Sequence, residues 1–301
     1  MIADAEPGGS SSTPAREPHD DGSKRPHGSS GPSVEGAPPV PEIAHALFGE
    51  RIALAQRFAG WLAGPAVLRG LIGPREVPRL WDRHLLNCAA IAELVPAGAL
   101  VADVGSGAGL PGLVLAIARP DLRVVLIEPL ARRTTFLEEV VTDCGLGATV
   151  EVRRARAEQV VGLDADIATS RAVAPTERLA AWSLPLLRPG GAMLAVKGRA
   201  AVTELDAARA ALKRLGVKHA DVVVVGQMLD VPTTVLRAVL GPRRVEPALA
   251  RALAGVGRSV PKASGSAGSP SPRGTAASAA RHVRAAGAHG RSPKPRTHRQ
   301  G

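Results

Sequence analysis

DVGSGAGLPG, residues 103 to 112, places four glycines within ten positions directly after the apolar run Leu100-Val101-Ala102. A glycine-rich loop behind a strand lets the backbone approach a ligand closely, because no Cβ intervenes. Two patterns overlap in these letters. Gly107, Gly109 and Gly112 spell G-x-G-x-x-G, the loop of dinucleotide-binding sheets, with an acidic residue, Glu128, about twenty positions after the loop, where such folds hold a ribose. Starting at the acid instead, Asp103 to Gly109 reads D-x-G-x-G-x-G. The rest of the chain has to decide between the two.

Working outward, short β-rich runs alternate with helical stretches, which predicts parallel βαβ units. Strands are expected at Ala99 to Asp103, Arg123 to Glu128, Thr149 to Arg153, Asp166 to Ser170 and Ala192 to Lys197. After the second strand comes a helix whose apolar side is Phe136, Leu137, Val140, Val141 and Cys144, capped by Gly145. Pro111 suits the first turn of the helix that follows the glycine loop, and LLRPGG, Leu186 to Gly191, reads as a turn before the fifth strand. Val222 to Val225 and Val235 to Leu240 are separated only by GQMLDVPTT, too short for a crossover helix, so these strands should pair antiparallel. Upstream, Ile52, Ala55, Phe58, Ala59 and Leu62 recur at helical steps. A second helix is expected from Leu80 to Val95, with Trp81, Leu85, Cys88 and Ala92 as its apolar stripe and Arg83 and Asn87 on another face.

Composition bounds the unit and its partners. Residues 1 to 43 carry three Lys/Arg against seven Asp/Glu, are rich in Gly, Pro and Ser, and lack aromatics, so they are expected to be disordered. Residues 255 to 301 carry nine Lys/Arg and no acid, in a setting of Gly, Ala, Ser and Pro, and are expected to form a disordered basic tail. The folded unit is then roughly 44 to 250, with a helical part at 44 to 95 and a sheet at 99 to 245. Of the formal net charge of +11, the tail supplies +9 and the head −4, which leaves +6 for the middle. A basic surface suits an anionic partner such as nucleic acid, whereas it says nothing of chemistry. The tail reads equally as an RNA-binding arm or as compositional drift. Only two cysteines occur, Cys88 and Cys144, without metal-ligand spacing; this fits a reducing cytoplasm, no metal and no disulfide framework. No leader and no apolar run long enough to span a membrane is apparent, so a soluble protein is expected. Nothing sets the oligomeric state, and a monomer is the default.

In a doubly wound sheet, ligands sit above the carboxyl ends of the strands near the point where strand order reverses. Residues at those ends are therefore the candidates. They are Asp103, Gly105, Gly107, Gly109 and Leu110 after the first strand and Glu128 after the second. Ala157 and Glu158 follow the third, at the height of an adenine, Ser170, Arg171 and Ala172 the fourth, and Lys197 and Gly198 the fifth. Glu128 could be an ordinary strand-end acid, but its place favours accepting the hydroxyls of a ribose. Arg132 and Arg133 read as a solvated helix face, and His84 as either a structural histidine or a cleft residue.

Five alternating strands finished by an antiparallel pair resemble the sheet of Rossmann-like class I methyltransferases, whose first motif is D-x-G-x-G-x-G. The resemblance becomes specific in DVGSGAGLPGLVLAIARPDLRVVLIEPLARRTTFL, residues 103 to 137, in TSRAVAP and LAVKG, and in the upstream RHLLN. Over about 45 to 240 the chain is similar to the glucose-inhibited division protein B family, guanine-N7 methyltransferases of bacterial small-subunit ribosomal RNA. The resemblance implies a mostly parallel seven-stranded α/β sheet with extra N-terminal helices. It also implies S-adenosylmethionine as cofactor and small-subunit ribosomal RNA or a ribosomal particle as partner. Gly105, Leu110, Ala157, Glu158 and Arg171 then correspond to cofactor contacts, and Arg83, His84 and Lys197 to the cleft that receives the guanine. Where the family reads D-S-L or D-S-I after the helix histidine, this chain departs with Asn87-Cys88-Ala89.

The chemistry agrees with what is missing. Methylation of an exocyclic amine commonly uses an N-P-P-Y or D-P-P-Y loop after the fourth strand, and here that position reads SRAVAP in a chain without tyrosine. Attack at pyrimidine C5 needs a suitably placed cysteine, and neither cysteine has that setting. Guanine N7 carries no proton, so its methylation needs alignment and not a general base. Arg171 or Lys197 would then position guanine O6 or phosphate. Two readings from other classes remain at this point: a nicotinamide- or flavin-dependent oxidoreductase built on G-x-G-x-x-G, and a ribosome-assembly factor that binds RNA without turnover.

Overall fold

A computed structural model describes residues 36 to 171 and 173 to 255. The basic tail, most of the acidic head and Ala172 lie outside the described residues. Seven strands form one sheet: β1 Leu100–Val104, β2 Arg123–Ile127, β3 Val150–Arg153, β4 Ala165–Arg171, β5 Leu187–Lys197, β6 Val217–Val225 and β7 Thr233–Leu240. Their order is β3-β2-β1-β4-β5-β7-β6. The first five are parallel, and β7 runs antiparallel to both β5 and β6. The chain steps outward from β1 to β3 and then returns to lay β4 against β1, so the reversal of strand order falls between β1 and β4.

The central strands are apolar in both directions because helices cover both faces. Successive side chains alternate between the two layers. Val101, Val124 and Leu126 join a core with the N-terminal helices, α5 (Gly112–Ala118) and α6 (Ala131–Asp143). Ala102, Val104, Val125 and Ile127 join the opposite core with α7 (Thr176–Ser183), α8 (Ala201–Arg214) and α9 (Pro247–Ala254). The N-terminal layer holds α1 (Ile43–Phe48), α2 (Ile52–Ala63), the short α3 (Pro65–Leu68) and α4 (Leu86–Ala89).

Three expectations change. The folded unit starts before residue 44: Ala37, Val40 and Ile43 pack on the core, and the Pro38 carbonyl accepts the Trp81 indole N–H at 3.1 Å. At the other end it includes α9, where Ala254 is buried. The segment after Pro78 is not one regular helix. Leu80–Leu85 forms a wide π-type turn that runs into α4 and then a 3₁₀ turn, Ala90–Leu94. An α-helix would have buried a single stripe, but this segment is enclosed on several sides, with the Thr233 hydroxyl donating to the Asn87 carbonyl at 3.1 Å and the Gly226 N–H to Glu93 at 3.0 Å. Finally, Leu187 to Gly191 is the irregular beginning of β5 and not a turn ahead of it. The register shifts between Ala165 and Ile167, and a Cβ on Gly191 would stand 2.9 Å from the Asp166 carbonyl oxygen.

Candidate functional site

A cavity of about 710 Å³ opens above the carboxyl ends of the parallel strands, at the reversal between β1 and β4. Its floor is the loop after β1. Gly105 and Ser106 donate their N–H groups to the Ile127 carbonyl at 2.8 and 3.3 Å, which ties the loop to the end of β2. Gly105, Gly107 and Leu110 line the cavity. Asp103 and Gly109 do not, although both were expected to contact the ligand. Asp103 is fully buried beneath the loop and accepts the Gly112 N–H at 3.1 Å; Gly109, at φ +91°, sits so close to Leu113 that a Cβ would overlap it. These two residues shape the loop from below.

Glu128, just past β2, is 1% exposed and faces the cavity. Its carboxylate accepts N–H groups from Gly107 and Leu130, both at 3.1 Å, and meets the Arg133 guanidinium at 3.4 Å. A carboxylate offers about four lone-pair sites, so acceptor capacity remains toward the cavity. Ala157 and Glu158 form a 3₁₀ turn after β3 and line the far side of the same space. Arg133, Arg156 and Arg171 line the wall together with the acidic Glu128 and Glu158, and Arg133 pairs with Glu128.

Arg171 ends β4 and lines the cavity, with its Nη1 3.6 Å from the Cys88 sulfur. Cys88 lies fully buried at the position where this chain departs from the family pattern, and burial holds its thiol above the usual range and protonated. His84 also lines the cavity, and its Nε2 lies 2.9 Å from Glu76. Burial, reinforced by the nearby positive charge of Arg171, lowers its pKa to about 4, against the opposing pull of Glu76, so the imidazole is neutral at pH 7. In contrast, burial raises the Asp103 carboxyl to about 7, against the hydrogen bonding of Ser106 and Gly112.

Two expected residues stand outside the cavity wall. Arg83 neighbours His84 but is not part of the lining; it is half-exposed and 3.5 Å from Glu76, the same carboxylate that His84 meets. Lys197 is engaged elsewhere, its ammonium 2.7 Å from Glu204 and donating to the Ala174 carbonyl at 3.3 Å. Conversely, the structure adds Leu71 and Ile72 from the N-terminal layer, Val173 after β4 and Trp182 from α7. Trp182 carried no sequence signal, since it reaches the site through packing between distant segments; Glu76 lies outside the lining and meets it through His84.

The site fits a nucleoside ligand with a charged end. Three cavity-lining residues, His84, Arg133 and Trp182, each carry a buried polar atom without a partner: Nδ1, Nε and Nε1. Native interiors leave few such groups unpaired, and a bound ligand is one way to supply partners. Among the described residues, no cluster of His, Cys, Asp or Glu could hold a metal, and no helix is long and apolar enough to cross a membrane.

Strand order, the antiparallel seventh strand and the glycine loop facing an acid at the end of β2 define a Rossmann-like class I methyltransferase. The sequence model described as rRNA small subunit methyltransferase G (GidB) matches residues 51 to 231, and the chain belongs to that family. It is 52% identical over 232 residues to the ribosomal RNA small subunit methyltransferase G of Salinispora tropica, covering 72% of this chain and 96% of the relative. Identity to the protein of the same name from Streptomyces coelicolor is 56% over 207 residues, 68% of this chain and 86% of that one. Among solved structures, a SAM-dependent O-methyltransferase from Thermotoga maritima aligns with a TM-score of 0.43 at 18% identity, over 57% of this chain and 72% of the other.

Proposed function

We propose that this protein transfers a methyl group from S-adenosylmethionine to N7 of a guanine in small-subunit ribosomal RNA, acting in the cytoplasm on the RNA or on a ribosomal particle. The observation that carries the reading is the cavity at the β1/β4 reversal, floored by Gly105 and Gly107 and faced by Glu128, in a chain of the rRNA small subunit methyltransferase G family. The cofactor supplies an electrophilic methyl group carried on a sulfonium. Glu128 accepts the ribose hydroxyls, Ala157 and Glu158 border the adenine, and the loop from Gly105 to Leu110 passes beneath the thioether region. Arg171, at the end of β4, stands between the cofactor and the place where a base enters.

N7 of guanine presents an in-plane lone pair and no proton, so no side chain has to remove one. The residues of the cavity contribute orientation and exclusion of water, which together supply several kcal/mol of barrier lowering in well-aligned reactions, about 7–11 at the upper end. The neutral His84 and the protonated Cys88 are consistent with a site that moves no proton. The basic balance of the chain favours encounter with an RNA backbone.

Calorimetric titration of the full chain with S-adenosylhomocysteine and with NADH separates this reading from a nicotinamide-dependent one. Transfer of labelled methyl to small subunits from a strain lacking the gene separates it from a non-catalytic assembly factor. Binding of the nucleoside together with transfer is expected; NADH binding alone, or binding without transfer, would overturn it.

A further inference from the structure

His84 is 6% exposed, forms part of the cavity wall, and makes its one hydrogen bond through Nε2 to the Glu76 carboxylate at 2.9 Å. Its other ring nitrogen, Nδ1, is buried and has no partner. A carboxylate can only accept, so in the neutral ring the shared proton sits on Nε2 and Nδ1 is left as a lone pair. Glu76 lies on the 3₁₀ segment Pro74–Arg79, outside the cavity lining, and meets the site through His84. Arg171 lines the same wall and adds a cation with several N–H donors. A lone-pair acceptor near a guanidinium complements a ligand group that pairs an N–H donor with an anion.

Resting on the function proposed above, we infer that Glu76 sets the tautomer of His84 so that Nδ1 accepts a hydrogen bond from the α-ammonium of S-adenosylmethionine, while Arg171 faces its carboxylate. The adenosine end lies at Glu128, Ala157 and Glu158, on the β2 and β3 side, whereas His84 and Arg171 border the β4 side, where the other end of an extended ligand must fall. His84 is thereby a cofactor-binding residue and Glu76 a positioning residue. A protonated imidazole would present a donor to an ammonium and repel it. Burial and the adjacent Arg171 and Arg83 keep the ring neutral, with Glu76 as the facing acid.

The test uses the full chain and two nucleosides, S-adenosylhomocysteine and methylthioadenosine, which share the adenosine and differ in the amino-acid end. In His84→Asn the amide oxygen can stand near the place of Nδ1, and in His84→Gln near that of Nε2. S-adenosylhomocysteine affinity is expected to fall roughly ten- to a hundredfold in His84→Gln and in Glu76→Leu, as for loss of a hydrogen bond to a charged group, and by much less in His84→Asn. Methylthioadenosine affinity stays constant throughout. Nitrogen-15 spectra of the ring are expected to show an unprotonated Nδ1 in the wild type and a mixture of tautomers in Glu76→Leu.

A protonated Nδ1 in the wild type overturns the inference, as does an equal loss for both nucleosides. Unchanged binding of S-adenosylhomocysteine with a raised KM for ribosomal subunits would move His84 to the methyl acceptor and overturn it too. A wild-type chain that binds neither nucleoside removes the proposed function itself, and this inference with it.

Discussion

Gly107 and Gly112 belong to one loop, and the structure separates their roles sharply enough for two substitutions to give opposite readouts. Gly107 lines the cavity at φ +55°, and a Cβ built on it meets only the Gly105 carbonyl oxygen, at 3.8 Å. A leucine there would extend into the space reserved for the ligand. Its left-handed backbone costs about 1–2 kcal/mol, which lowers Tm by roughly 2–8 °C for a domain of this size. Gly112 lies beneath the loop, where a Cβ would stand 2.5 Å from Leu126 Cδ2 and 2.7 Å from Asp103 Oδ2. Asp103 is itself held by the Gly112 N–H, so neither neighbour can withdraw cheaply. Gly112→Ala is therefore an overpacking defect of about 3 kcal/mol, a drop of roughly 6–12 °C in Tm. Thermal unfolding and calorimetric titration with S-adenosylhomocysteine on both variants test the pair. Gly107→Leu should stay folded and lose more than about a hundredfold in affinity, a change of about 2.7 kcal/mol. Gly112→Ala should lose mainly stability. Unchanged affinity in Gly107→Leu would refute the placement of the cofactor on this loop.

Further outcomes follow from the buried titratable groups and from neighbouring contacts. Asp103 titrates near 7 in the folded chain and near 4 when unfolded, so its contribution is complete below about pH 4 and is lost as pH rises toward 7. His84 titrates near 4 folded and near 6.5 unfolded, so its contribution is complete above about pH 6.5 and is lost as pH falls toward 4. The two slopes oppose each other, each at most about 1.4 kcal/mol per pH unit. Urea midpoints measured from pH 4 to 7 should therefore rise with pH in Asp103→Asn and fall in His84→Asn; parallel curves would contradict the burial of these groups. Trp182 is the one tryptophan of three in the cavity wall, while the indole N–H groups of Trp61 and Trp81 are engaged by Asp143 and Pro38. Nucleoside binding should change the intrinsic fluorescence of the wild type and leave that of Trp182→Phe nearly unaltered. Arg119 bonds Asp121 and the carbonyls of Ala92 and Val95, joining the end of α5 to the N-terminal layer, so Arg119→Met should cost about 1–2 kcal/mol in a chemical unfolding curve without touching ligand affinity.

The parallel strands were legible because each is a short β-rich run that alternates with a helical stretch, and the antiparallel pair because nine residues cannot carry a crossover. Gly105, Gly107, Leu110, Glu128, Ala157, Glu158, Arg171 and His84 all reach the cavity, since strand ends in this topology converge on one edge. Sequence position alone could not separate Asp103 and Gly109, which support the loop, from the glycines that line it. Nor could it foresee Lys197 captured by Glu204, because that pairing depends on how the chain turns from β5 into α8. The wide turn at Leu80–Leu85 escaped periodicity because burial on several sides, and not one stripe, selects its shape. Trp182 enters through contacts between segments far apart in the chain, and Glu76 reaches His84 across the irregular turns from Pro74 to Leu85, for which no local periodicity exists.

The most direct test of the proposed reaction is the chemical identity of the transferred methyl. Small subunits from a strain lacking the gene are incubated with the purified chain and labelled S-adenosylmethionine, the RNA is digested, and the labelled nucleoside is identified by mass spectrometry. The expected product is 7-methylguanosine from a single position in the small-subunit RNA. Label in an amine-methylated or carbon-methylated nucleoside, or no label at all, would contradict it.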